Sequence, residues 1–143
     1  MAATVNPDKE IRKAVFELVD GISVSAKTIN CFDTRLTGAS SLSEYVLMTS
    51  QTKEVIKPNK CDYRWETSLL IEIYTKNSSA GNPGSRVLLN DIEQAVYTLL
   101  QDQLFIQGFT ILIQNVSFEA QLDTITTTEN IYRSFLRLNL TLI

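Results

Sequence analysis

Histidine is absent from the 143 residues. With it go the commonest general base, the usual activator of a nucleophile, and most zinc- and iron-site designs. Cysteine is scarce: Cys31 and Cys61 lie thirty residues apart, which is neither a metal-ligand spacing nor a disulfide framework. That usage implies a reducing compartment and two small buried or half-buried thiols. No apolar run approaches the roughly 20 residues needed to cross a bilayer. Met1 to Val5 lack the basic region and apolar run of a signal peptide. Without a secretory route the sequons at Asn77, Asn115 and Asn139 are chance matches. A dominant charge is missing as well, since thirteen lysines and arginines face sixteen acids for a net charge of -3. The tightest basic grouping (Lys53, Lys57, Lys60, Arg64) is interleaved with Glu54, Asp62 and Glu66, a solvated mixed-sign surface with no strong drive toward nucleic acid.

What is present is patterning. Hydrophobic residues make up 44% of the chain, enough for one domain spanning 1–143 that buries roughly two-thirds of its unfolded surface. Asn6 as cap and Pro7 at the first helical position start a helix over Pro7–Val19. Its stripe is Ile11, Ala14, Val15 and Leu18, and Gly21 supplies a stop. Alternation is blurred from Ile22 to Phe32, with Ile22, Val24, Ala26 and Phe32 in one phase and a strand centred on Lys27–Phe32. A small-residue loop follows, and Tyr45–Ile56 reads as a long strand, or a strand with a bend, ended at Lys57-Pro58-Asn59-Lys60. Arg64–Lys76 has Trp65, Leu69, Ile71 and Ile73 on one face and Glu66, Ser68, Glu72 and Lys76 on the other, the period of a half-buried strand.

After the loop Asn77–Ser85 comes the strongest helix pattern, with Leu88, Leu89, Ile92, Ala95, Val96, Leu99 and Leu100 in one stripe. Either Ser85 or Asn90 could cap it, and Ser85 fits the stripe better. Asn90, Glu93, Gln94, Tyr97 and Gln101 form its opposite face. Phe109, Ile111 and Ile113 alternate, and a phase shift to Val116 and Phe118 points to a bulge or bend near Gln114-Asn115. Asp123 to Asn130 is a hydrophilic turn. Leu136, Leu138, Leu140 and Leu142 share one face of a last strand. The fold class is therefore α+β, a mostly antiparallel sheet packed by two helices in the order α-β-β-β-α-β-β.

Catalytic readings fail one by one. Cys31 sits within a strand and has no histidine to activate it. Glu66 and Glu72 share a face but stand six residues apart, roughly 20 Å along an extended chain. Asp91 and Glu93 are two apart on a helix and do not face each other. Gly81-Asn82-Pro83-Gly84-Ser85 lacks the lysine and spacing of a phosphate loop, and Pro83 removes an amide donor. Trp65 and Tyr74 are on opposite faces of their strand, so they make no stacking platform. No catalytic residue, metal ligand or cofactor is assigned, and the chain is expected not to be an enzyme.

In the order of its elements the chain resembles the tail-terminator and neck (head–tail connector) ring proteins of tailed bacteriophages. The resemblance rests on the helix Asp8–Val19 and on Cys31-Phe32-Asp33-Thr34 with its Gly/Ser loop. It continues through Tyr45-Val46-Leu47-Met48, Leu69–Tyr74, the helix Leu88–Leu100, Phe118–Asp123 and the end Ile131–Leu142. It implies a structural virion protein at the head–tail junction, made in the host cytoplasm. Such a protein assembles as a homo-oligomeric ring, a hexamer first and a dodecamer second. The ring would contact other neck, portal-side or tail proteins and let DNA pass without sequence-specific binding, with no membrane involved. Ring contacts are expected from the loops Thr34–Ser43 and Lys76–Ser85 and the strand Tyr45–Ile56. The residues are Arg35, Leu36, Tyr45, Lys53, Asn77, Asn82, Pro83, Arg86 and Tyr97. The alternative is a monomeric non-enzymatic binding module or assembly chaperone holding a peptide or ligand between sheet and helix.

Overall fold

The computed structural model describes residues 6–33, 44–59, 62–78, 84–125 and 129–143. Their elements, in order, are α1 (Asp8–Val19), β1 (Ile22–Val24), β2 (Lys27–Phe32), β3 (Glu44–Asn59), β4 (Asp62–Ser78), α2 (Gly84–Gln103), β5 (Ile111–Ile125) and β6 (Glu129–Leu142). The sheet order is β1-β2-β3-β4-β6-β5. Every neighbouring pair is antiparallel except β2 and β3, which run parallel. This is the expected α+β class, with one more strand before the second helix.

The extra strand comes from a turn with no turn-like sequence. Ser25 and Ala26 both take positive φ, 51° and 64°, the pattern of a two-residue type I′ hairpin normally built from Asn-Gly. The turn divides Ile22–Phe32 into β1 and β2 and resets the alternation. Val24, Ile29 and Cys31 are buried, whereas Ala26 is exposed. At the start of α1 the Asn6 side chain accepts the Asp8 amide at 2.9 Å, but the helix begins at Asp8 with Pro7 in the cap position, one residue later than expected. Gly21, at φ 78°, reverses the chain at the other end, and its amide donates to the Ile29 carbonyl.

Both helices pack against the sheet. Ile11, Val15 and Val19 of α1 and Leu89, Ile92, Val96 and Leu100 of α2 meet Ile29, Val46, Met48, Leu69, Ile71, Ile73 and the β6 leucines 136, 138, 140 and 142. Alternate positions of β4 and β6 form the floor, as period-two strands require. Each such side chain contributes about 2 kcal/mol by leaving water.

Five local expectations change. The face of β4 opposite the helices is partly buried: Tyr45, Leu47 and Tyr74 form a second small cluster with Phe32 and Ile131, and Glu72 is only 3% exposed. Strand β3 continues to Asn59, with a register shift between Ile56 and Asn59 where Pro58 has no amide to give, and a second shift between Met48 and Gln51. Helix α2 begins at Gly84, so Ser85 lies inside it. The irregularities of β5 lie between Ile111 and Ile113 and between Phe118 and Gln121. Gln114-Asn115 instead sits in regular register with β6, and β5 runs on to Ile125, past the expected turn start at Asp123.

Candidate assembly surface

The residues expected to make subunit contacts fall in different places. Arg35, Leu36, Asn82 and Pro83 lie outside the described residues. Asn77 pairs through its backbone with Asn130 across β4 and β6. Tyr45 points inward: it is 5% exposed and stacks on Tyr74 with ring centroids 4.9 Å apart. Lys53 is on the surface of β3, ion-paired with Asp8 of α1. Arg86 is exposed at the start of α2, ion-paired with Asp123 of β5 and 5.2 Å from the Tyr132 ring centroid. Tyr97 is half-buried and stacks on Phe118 of β5, centroids 4.9 Å apart. Arg86 and Tyr97 thus tie α2 to β5, while Lys53 ties β3 to α1.

Strand β5 covers much of the helix face that reads as polar. Gln121 Nε2 donates to Asn90 Oδ1 at 2.9 Å and to Glu93 Oε2 at 3.3 Å, and Glu93 also accepts the Ser134 hydroxyl of β6. Gln114 donates to the Leu100 carbonyl, one of the terminal carbonyls α2 cannot satisfy within itself. The outer side of β5 is different. It forms one end of the sheet, and Leu112, Ile113 and Leu122 are substantially exposed along it, Ile113 by 63%. No charge and no proline interrupt Phe109 to Phe118. Edge strands in soluble proteins are normally blunted by lysine, proline or a cover. This exposed strand was not foreseen; its signal is the uncharged run together with the lack of any lysine after Lys76.

A second open edge lies on β3. Strand β2 pairs with β3 only at Tyr45, Val46 and Leu47. Where β2 stops, Arg12 of α1 takes over: it donates to the carbonyls of Met48 at 3.4 Å and Thr49 at 2.6 Å, and to Gln51 Oε1 at 2.7 Å. Its remaining reach goes to Asp33, at 2.6 Å. Beyond Gln51, among the described residues, no strand pairs with the outer side of β3. Thr52, Lys53, Glu54 and Val55 are exposed along it.

Chemically the described residues offer little reactivity. Burial, then the nearby carboxylates of Asp20 and Asp33, push the Cys31 thiol up to about 12, which keeps it protonated and a poor nucleophile. The Tyr74 hydroxyl donates to Glu72 Oε1 at 2.9 Å. Burial and that carboxylate raise its pKa against an opposing effect of Arg133. Glu54 and Glu66 face each other directly across β3 and β4, beside a polar depression of about 330 Å³ lined by Thr52, Ser68 and Asn139. A hollow of about 420 Å³ beside α1 is bordered by Lys9, Lys13, Phe16 and Met48, with Arg12 already engaged as described. Among the described residues no three His, Cys, Asp or Glu side chains gather where they could hold a metal ion.

No protein-family model matches the chain, and no curated protein matches it. Among solved structures its fold is similar to that of a chain described as "Virion of native gene transfer agent (GTA) particle". The TM-score is 0.61 at 12% identity, over 96% of this chain and 99% of that one.

Proposed function

We propose that this chain is a structural subunit of a phage-like virion, and that it forms a ring at the head–tail junction through which DNA passes. The observation that carries the reading is the shared fold with a gene transfer agent virion chain across nearly the whole of both. The element order, which resembles tail-terminator and neck proteins, supports the same place in the particle. A hexamer is the expected ring, with a dodecamer as the second stoichiometry. The partners are other copies and the neighbouring neck, portal-side or tail proteins. The chain acts by position and contact, without a reaction. Its net charge of -3 suits a channel that neutralises few phosphates and so does not grip DNA.

Electron cryomicroscopy of purified particles tests this. A ring of density with this fold at the head–tail junction is expected. Particles that contain the protein elsewhere, or a junction ring whose lumen is lined mainly by lysine and arginine, would count against it. A purified chain that stays monomeric and binds a peptide or small ligand would favour the binding-module reading.

A further inference from the structure

We infer that the chain assembles with copies of itself by strand addition, the outer edge of β5 in one copy pairing with the free outer edge of β3 in the next. The inference rests on the ring reading and names its contact.

The two edges belong to the same end of one sheet. Thr52 is level with Ser68, Asn139 and Asn115, and Glu54 is level with Glu66, Thr141 and Ile113. At this level the sheet has just four strands among the described residues, β3-β4-β6-β5, with an open edge on each side. Their directions are matched. Because β3–β4, β4–β6 and β6–β5 are all antiparallel, β5 runs opposite to β3. A second copy placed beside the first in the same orientation therefore sets its β3 antiparallel to the first copy's β5. The sheet continues with its alternation unbroken and with both helices of every copy on the same side. Such a contact joins two different surfaces, so it closes into a ring or runs on as a filament, and does not stop at a dimer.

The chemistry of the edges agrees. On β5 the residues from Ile113 to Phe118 hold regular register with β6, uncharged and without proline, which is the form an added strand needs. Left uncovered, such a segment is an aggregation hazard. Charge is also distributed for head-to-tail contact. Residues 84–125, which hold α2 and β5, contain Asp91, Glu93, Asp102, Glu119 and Asp123 against one base, Arg86. On the β3 side, residues 6–33 and 44–59 carry seven acids and six bases, with Lys9, Lys13 and Asp33 around the hollow that Phe16 borders. The acidic end of one copy thus meets a nearly neutral end of the next, which costs less repulsion than β5 meeting β5.

The test uses the full chain in native mass spectrometry and light scattering over a concentration series, with two single variants. Ile113→Glu charges the β5 edge and Val55→Glu charges the β3 edge. Ile113 is largely exposed and Val55 about half exposed, so melting of the monomer should move little. Each variant alone should weaken association by about tenfold or more. In the assembled protein, amide exchange should slow at Ile113–Phe118 and at Gln51–Ile56 relative to the monomer. If Ile113→Glu fails to fold, Asn115→Glu, at another exposed position of the same edge, replaces it. A ring that survives Ile113→Glu overturns the strand addition and leaves the ring standing. Loss of assembly with Ile113→Glu but not with Val55→Glu also overturns it, since β5 then meets another surface. A chain that never self-associates, alone or in its particle, removes both the strand addition and the ring.

Discussion

The two ends of the sheet are finished in opposite ways. At one end the edge strand β1 has three residues, and α2 lies against it. The hairpin it forms with β2 is tied back by the Asp20 carboxylate, which accepts the Cys31 amide at 2.9 Å. Arg12 covers the Met48 and Thr49 carbonyls where β2 leaves β3, so this side is open only beyond Gln51. At the other end β5 has fifteen residues, and of these Val116 alone is buried among the described side chains. The closed end belongs to the core of the monomer. The open end is held on its inner side by the β6 ladder and by α2, and it leaves its outer backbone groups and several apolar side chains exposed. A protein that worked alone would gain from blunting β5 as it blunts β1.

The largest contrast should be kinetic. With its thiol pushed up from an ordinary 9.0 to about 12, Cys31 at about pH 8 carries roughly a thousandfold less thiolate than in the unfolded chain. Alkylation followed by mass spectrometry in a Cys61→Ser background should be slower in the folded protein by at least that factor, because burial also blocks the reagent. The same shift bears on stability. The folded state favours the protonated thiol, so this contribution is complete below the unfolded value of 9.0 and is lost as the pH rises toward about 12. Fast labelling of Cys31 in the native protein would show that the closed end opens readily.

One residue type sits at both ends and allows a matched comparison. Ile29 of β2 is fully buried, whereas Ile113 of β5 is 63% exposed. Ile29→Ala should cost about 3 kcal/mol through lost burial and a cavity. Ile113→Ala should change the stability of the dissociated chain by less than about 0.5 kcal/mol. Urea unfolding of the two variants checks this, and equal losses would erase the distinction between the ends.

Which parts of this were legible in the sequence follows from range. The helix stripes, the alternation of Leu69, Ile71 and Ile73 and that of the last leucines are local periodicities, and each marks a buried face in the structure. Long-range neighbours carry no such mark. Glu72 reads as a solvent-facing residue because its burial depends on Tyr74 and the other members of the second cluster on that face. Tyr97 and Glu93 read as polar surface because nothing local says that β5 returns to cover them. The bulge in β5 was misplaced for a related reason: hydrophobic phase reports burial, and an edge strand with exposed isoleucine and phenylalanine gives a misleading phase. The open edges themselves could be seen only once the strand order was known.

The turn between β1 and β2 offers a way to sharpen the closed end. Ser25 and Ala26 hold left-handed backbone, where a residue with a β-carbon is strained. Replacing them by Asn and Gly, which accept that conformation, should stabilise the chain by about 1 kcal/mol. The urea midpoint should rise while assembly stays unchanged, since the hairpin is remote from the two open edges. A fall in the midpoint would mean that the present side chains contribute contacts that offset their strain.

The smallest expected effect concerns the open edge of β3. Glu54 and Glu66 stand directly opposite each other on exposed positions, an arrangement that opposes β3–β4 pairing. Glu54→Lys turns the repulsion into attraction and should stabilise the dissociated chain by about 0.5 kcal/mol. Because both groups are in water, salt should shrink the gain. Thermal melts of the two proteins at low and high ionic strength measure it. A variant that melts below the parent at low salt, or a difference indifferent to salt, would show that the two carboxylates do not repel each other in the monomer. If the gain appears in the dissociated chain but assembly weakens, then Glu54 serves a contact with another chain and not the monomer. The sign of the two measurements together separates a residue placed for the monomer from one placed for a contact between chains.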